Sequence, residues 1–142
     1  PSEGSVLLDT HTLVWLLQGS ENLGPQARRV IEAATVGQGG VMVAAISCWE
    51  VGMLVAKGRL TLDRDVGEWI QAALVLPGMR LVALEPEIAV AAARLPGQMH
   101  GDPADRLIVA SARHAGAVLI TDDRLILDYA AEGHLRAIRA GA

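Results

Sequence analysis

A chain of 142 residues with 51% hydrophobic content and a mean hydropathy of +0.34 carries enough apolar material for one compact domain, residues 1–142, without covalent staples. Its longest apolar stretches, EIAVAAARL and VMVAAIS, fall far short of the roughly 20 residues that cross a bilayer, and a single cysteine, Cys48, excludes an internal disulfide. A net charge of −4 with an isoelectric point near 5.5 excludes nucleic-acid binding by bulk positive charge, though not by local contacts.

The chain begins at Pro1 without a methionine, so residues 1–4 are expected to be disordered or a cloning remnant and PSEGS is set aside. With no signal-like start and one cysteine, the expected setting is a reducing cytoplasm. SVLLD (5–9) reads as a buried strand, followed by a helix over THTLVWLL. GPQARRVIEAATV is a helix with Pro25 early, where the first turn tolerates it. VMVAAIS (41–47) is the second strand, Ser47 or Cys48 leading into the helix CWEVGMLVAKG. RLTL is a short extended linker, and DVGEWIQAALVL a helix capped by Asp65. MRLVALE (79–85) is the third strand, with Glu85 as a cap for PEIAVAAARLP. The helix opened by HGDPADRLIVASA leads to the fourth strand, AVLIT (117–121). DDRLILDYAAEG is a short helix and HLRAIRA a fifth, edge strand. Strands separated by helices of this length predict a three-layer α/β/α domain with a mainly parallel sheet of about five strands.

Ligands of such sheets sit beyond the carboxyl ends of the strands, which directs attention to acids that follow an apolar run. Asp9 closes strand one, Asp122 and Asp123 follow strand four, and Glu50 lies one helical turn past strand two. Asp102 and Asp105 open the helix that feeds strand four, and the pattern leaves open whether they reach the same rim. Asp102 at the cap, Pro103 and Asp105 also form an acidic variant of a capping box. Two carboxylates about 4 Å apart repel by roughly 4 kcal/mol at an effective dielectric near 20. A cluster of them must bind protons, basic partners or a cation, and oxygen-only ligands suit Mg²⁺ or Mn²⁺.

The strings LLDTHTLVWLL, ISCWEVGMLVAKGRLTL, HGDPADRLIVASA and LITDDRLIL, in this order, together resemble the PIN-domain family, and within it the VapC toxins of VapBC toxin–antitoxin pairs. The resemblance implies a metal-dependent endoribonuclease with Asp9, Glu50, Asp105 and Asp123 around Mg²⁺ or Mn²⁺. Asp102 is then a cap or outer helper, and the Asp122–Asp123 doublet leaves the fourth acid ambiguous by one residue. It further implies an RNA substrate, an antitoxin of the VapB type lying along helices near residues 12–35, and a homodimer. Leu13, Leu16, Leu17, Val30 and Ile31 offer apolar surface for such partners.

Thr10, Ser47 and Thr121 beside the acids orient carboxylates or waters, or cap helices. Arg106 and Arg124, each following an acid of the quartet, contact RNA phosphate or fix a carboxylate. His11 is expected to be a solvated or partnered helix residue, and His100, His114 and His134 share no ligand spacing. Trp15 and Trp49 are assigned to core or interface packing rather than base stacking, since aromatics make up only 3% of the chain. Two other classes compete. An aspartyl-phosphate phosphatase would need a second Asp where His11 stands, and a protein-binding module would use the acidic rim only to receive a basic partner.

Overall fold

The computed structural model describes residues 4–142, so residues 1–3 of the stretch set aside above lie outside the described residues. Along the chain run β1 (Val6–Leu8), α1 (Thr10–Gln18), α2 (Pro25–Val36), β2 (Val41–Ala44), α3 (Ala45–Ala56), α4 (Val66–Leu74), β3 (Met79–Val82), α5 (Pro86–Ala93), α6 (Pro103–Ala115), β4 (Val118–Thr121), α7 (Arg124–Ala131) and β5 (Ala137–Arg139). All strand pairings are parallel and the sheet order is β3-β2-β1-β4-β5. β1 lies at the centre, its Leu8 in register with Val43 on one side and Ile120 on the other.

Side chains alternate across a strand, so the central run must be apolar on both faces. Val6 and Leu8 pack into a core with Leu13, Val14, Ala27, Ile31, Val51 and Trp69. Leu7 points the other way, into a core with Ile108, Val109, Ala112, Ile126 and Tyr129. These two cores make the three layers. Burial of Leu13 and Ile31 corrects the surface expected for partners, of which Leu16, Leu17 and Val30 alone stay partly exposed.

Local chemistry sets the helix ends. Asp65 caps α4 by accepting from the backbone N–H groups of Gly67 and Glu68. Asp102 caps α6 through the N–H of Asp105, with Pro103 in the first turn, and Gly116 closes that helix at φ 65°, a left-handed position suited to glycine. Gly24 has no side chain with which to cap α2. The carbonyl of Ala142 does so instead, accepting from Gln26 N at 3.0 Å and Ala27 N at 3.2 Å.

Every strand is shorter than its sequence reading, and two carboxyl ends differ most. β2 ends at Ala44, and Ala45, Ile46 and Ser47 belong to α3, because alanines favour helix once the strand is complete. Neither Ser47 nor Cys48 caps that helix. β3 ends at Val82, the last residue with a partner on β2 (Ala44), and Glu85 stands at the cap position of α5 with no side-chain cap bond.

Two glycines test this account in opposite directions. A Cβ on Gly24 would stand 2.1 Å from the Ala142 carbonyl oxygen, so Gly24→Ala is expected to cost about 1–3 kcal/mol by displacing that backbone cap. Gly52, inside α3, faces open space, and Gly52→Ala is expected to add about 1 kcal/mol through helix propensity. Urea unfolding with an unchanged slope measures both.

Candidate functional site

The strand order reverses between β1 and β4. Connections leave β1 towards β2 on one side and reach β4 on the other, which opens a crevice beyond their carboxyl ends. Asp9 follows β1 there, and Asp122 and Asp123 follow β4. Helices of a parallel sheet run back against the strands, so α6 begins at this same rim and brings Asp105 to it. Glu50 arrives from the second turn of α3. A cleft of about 360 Å³ is lined by Asp9, Thr10, His11, Trp15, Glu50, Asp105, Asp122 and Asp123.

Asp9 is only 8% exposed, and this burial pushes its carboxyl pKa up. Two hydrogen bonds oppose the shift. Thr121 Oγ1 donates to Oδ2 at 2.6 Å and Thr10 N donates to Oδ1 at 2.8 Å. Thr10 Oγ1 lies 2.5 Å from Glu50 Oε1 and 2.9 Å from Ser47 Oγ. A hydroxyl has one proton, which is best directed at the carboxylate, so Thr10 receives that of Ser47 in turn. Thr10, Ser47 and Thr121 therefore meet the acids or one another, and none of the three hydroxyls caps a helix.

Glu50 and Asp105 are also raised above ordinary carboxyl values, first by burial. Charge repulsion adds to this, from Asp9, Asp105 and Asp102 on Glu50, and from Asp102, Asp123 and Asp9 on Asp105. The doublet after β4 divides its labour. Asp123 caps α7 through Ile126 N at 3.0 Å, donates its own N–H to Thr121 Oγ1, and acts electrostatically on Asp9 and Asp105. Asp122 turns to the chain end, accepting from Gly141 N at 3.2 Å with Arg139 Nη1 3.8 Å away.

His100 was not singled out from the sequence. Its Nε2 stands 2.7 Å from Asp105 Oδ2 and opposes the rise in that carboxyl's pKa. The loop before α6 folds back over the first helical turn, so five residues of separation become contact. A histidine just ahead of an acid in a capped first turn was the available signal. Among the described residues Arg106 fixes no carboxylate; its guanidinium donates to the carbonyls of Ala92, Met99 and His100 and ties α5 to α6. Arg124 is 89% exposed, with Asp128 Oδ1 3.7 Å away. His11 is exposed beside Asp9, Trp15 packs partly against the core, and Trp49 is 57% exposed and so lies outside the core.

Five of the residues that line the cleft are carboxylates, and that predominance of oxygen donors fits a hard divalent cation. Among the described residues, no three His, Cys, Asp or Glu side chains already stand as a preformed metal cage. Drawing the acids together without a cation would increase the repulsion that already raises Glu50 and Asp105.

Fold and cleft define a class, the three-layer α/β/α domains with acids converging at the carboxyl rim of a parallel sheet. The PIN domain matches residues 6–132, and the chain belongs to that family. It is 38% identical over 120 residues to Ribonuclease VapC22 of Mycobacterium tuberculosis, a match covering 84% of this chain and 88% of that relative. The fold is similar to VapBC2 from Rickettsia felis bound to a promoter DNA fragment, with a TM-score of 0.66, 14% identity, and coverage of 95% of this chain and 98% of the other. It is also similar to FitAcB from Neisseria gonorrhoeae, at a TM-score of 0.61, 22% identity, and coverage of 95% and 97%. A toxin–antitoxin complex from Klebsiella pneumoniae matches at 0.57 and 19% identity, covering 83% and 86%.

A carboxyl whose pKa is raised on folding binds more protons in the folded than in the unfolded chain, so its ionisation costs stability as pH rises. Without metal, Asp105→Asn is therefore expected to be more stable than wild type at pH 7. The advantage should vanish as pH falls below the ordinary carboxyl value of 3.8, where both states are protonated. Thermal melts across that range in a chelating buffer check the sign.

Proposed function

We propose that this chain is a VapC-type endoribonuclease, the toxin of a toxin–antitoxin pair, cutting RNA with Mg²⁺ or Mn²⁺ in the cytoplasm. The observation that carries the reading is the convergence of Asp9, Glu50, Asp105 and Asp123 on one cleft at the β1/β4 crevice, in a PIN-family chain 38% identical to a ribonuclease. Asp9, Glu50, Asp105 and Asp123 would hold the ion. When bound, the ion supplies the charge that offsets phosphate and the acidity that makes water a nucleophile at neutral pH.

The residues of the chain do the positioning. Thr121 and Thr10 hold the two oxygens of Asp9 and one oxygen of Glu50, which ties both acids to the fold before substrate arrives. Asp102 keeps α6 started at the rim, and His100 orients Asp105. In the reaction the water oxygen bonds to phosphorus as the bond to the 3′ oxygen breaks, leaving 5′ phosphate and 3′ hydroxyl ends. Arg124, exposed at the start of α7, is available to a flanking phosphate.

A VapB-type antitoxin is the proposed protein partner. Support comes from the neighbours in fold, VapBC2 from R. felis and the K. pneumoniae complex, and from half-buried Leu16, Leu17 and Val30 within the 12–35 surface. A second copy of the chain is the other proposed partner. The acidic rim as a site only for a basic protein segment is disfavoured, because Thr10 and Thr121 already orient two of its acids from within.

Thermal unfolding with and without Mn²⁺ tests the site before any RNA is chosen. At about 100 times its dissociation constant the ion should add roughly 2.7 kcal/mol to wild type and lose that effect in Asp105→Asn. Incubation with total RNA should then give metal-dependent cuts with 5′ phosphate ends, and Asp9→Asn should lower the rate at least about 100-fold. Cleavage that persists in both variants, or that ignores chelator, would count against the assignment.

A further inference from the structure

Beside the acidic cleft lies a second groove of about 420 Å³, lined by Trp49, Met53, Leu54, Lys57 and Arg59 from the α3 side and by Asp102, Pro103 and Ala104 from α6. It shares Thr10, His11 and Glu50 with the acid cleft, so the two are continuous. Trp49, Met53 and Lys57 recur every fourth residue and lie along one face of α3, with Lys57 at its C-cap. Trp49 keeps 57% of its surface exposed. Among the described residues neither Lys57 nor Arg59 pairs with a carboxylate, whereas Arg64, Arg124 and Arg139 each lie beside one.

An acid-lined centre repels every phosphate except the one its cation neutralises. A strand crossing it needs positive charge nearby. Two uncommitted cations at the end of a groove that opens onto Glu50, with an exposed indole between, match the make-up of a single-strand site: a flat ring for a base and cations for the backbone. From Trp49 to Lys57 the helix rises roughly 12 Å, at 1.5 Å per residue.

We infer that this groove is a nucleotide subsite, in which a base of single-stranded RNA flanking the cut stacks on Trp49 and phosphates further along meet Lys57 and Arg59. The inference rests on the nuclease reading and deepens it. Trp49 acts as a single stacking residue that fixes the register of the strand over the acids.

The test is fluorescence anisotropy with labelled, mixed-sequence single-stranded RNA, in an Asp105→Asn background that prevents cutting. Trp49→Ala should weaken binding by about tenfold, Trp49→Phe should restore most of it, and neither should change affinity for an abasic strand. Lys57→Ala with Arg59→Ala should lower the salt slope by about two. Trp49→Ala on the otherwise wild-type chain should keep the Mn²⁺ thermal shift, showing fold and acid site intact. A background protein that binds RNA while Trp49→Ala binds it equally well would overturn the subsite and leave the nuclease reading standing. No RNA binding by the background and no Mn²⁺ shift in wild type would overturn both. If the Trp49 and Lys57/Arg59 variants bind RNA normally but release a copurifying antitoxin, the groove belongs to the protein partner and the inference fails.

Discussion

A carboxylate almost wholly removed from water, Asp9 at the end of the central strand, is the constraint around which the rest of the domain is arranged. Burial alone raises the pKa of its carboxyl. Thr121 from β4 and the first amide of α1 hold it by hydrogen bonds from two elements, and this is possible because β1 and β4 are direct neighbours ending at the same level. The same crevice that accommodates Asp9 receives the starts of α6 and α7, with one further acid of the quartet from each. The fold thus creates an electrostatic debt at one rim of the sheet.

The hydroxyls and the histidine are the parts of the site that keep this arrangement organised in the absence of a cation. Thr10 bridges α1 to Glu50 of α3, Thr121 bridges β4 to Asp9, and His100 bridges the α5–α6 loop to Asp105. Each acid of this trio therefore has a neutral or cationic partner from another part of the chain. Polar groups buried this deeply are costly unless satisfied, and among the described residues no buried side-chain polar atom lacks a partner.

Much of this was legible in the sequence, for reasons that can be located. Buried parallel strands are short apolar runs, and glycine, proline and capping aspartates punctuate them, so all five strands and the capping by Asp65 and Asp102 could be read directly. Asp9, Asp105 and Asp123 were legible because each follows a strand or opens a helix, and Glu50 because it stands one helical turn past the run read as strand two. What could not be read depended on neighbours distant in the chain. The end of β2 is set where the strand gives way to an alanine-rich helix start, which no periodicity marks, and Arg106 finds backbone carbonyls because α5 passes beside it. His100 and Asp105 meet only because a loop folds back, and Leu13 and Ile31 look like surface until the sheet is placed beneath them.

The pairing of β1 with β4 joins residues that are far apart in the order of synthesis. The bond from Thr121 to Asp9 spans 112 positions. A chain emerging amino end first can therefore assemble β1, β2 and β3, with Asp9 and Glu50, while the half of the rim carrying residues 105 and 123 does not yet exist. Long-range closure of this kind is slow relative to local folding. The acid centre is completed only once residues 105–123 have been made and β4 has joined β1, so the rim acquires its full negative charge late in the assembly of the sheet.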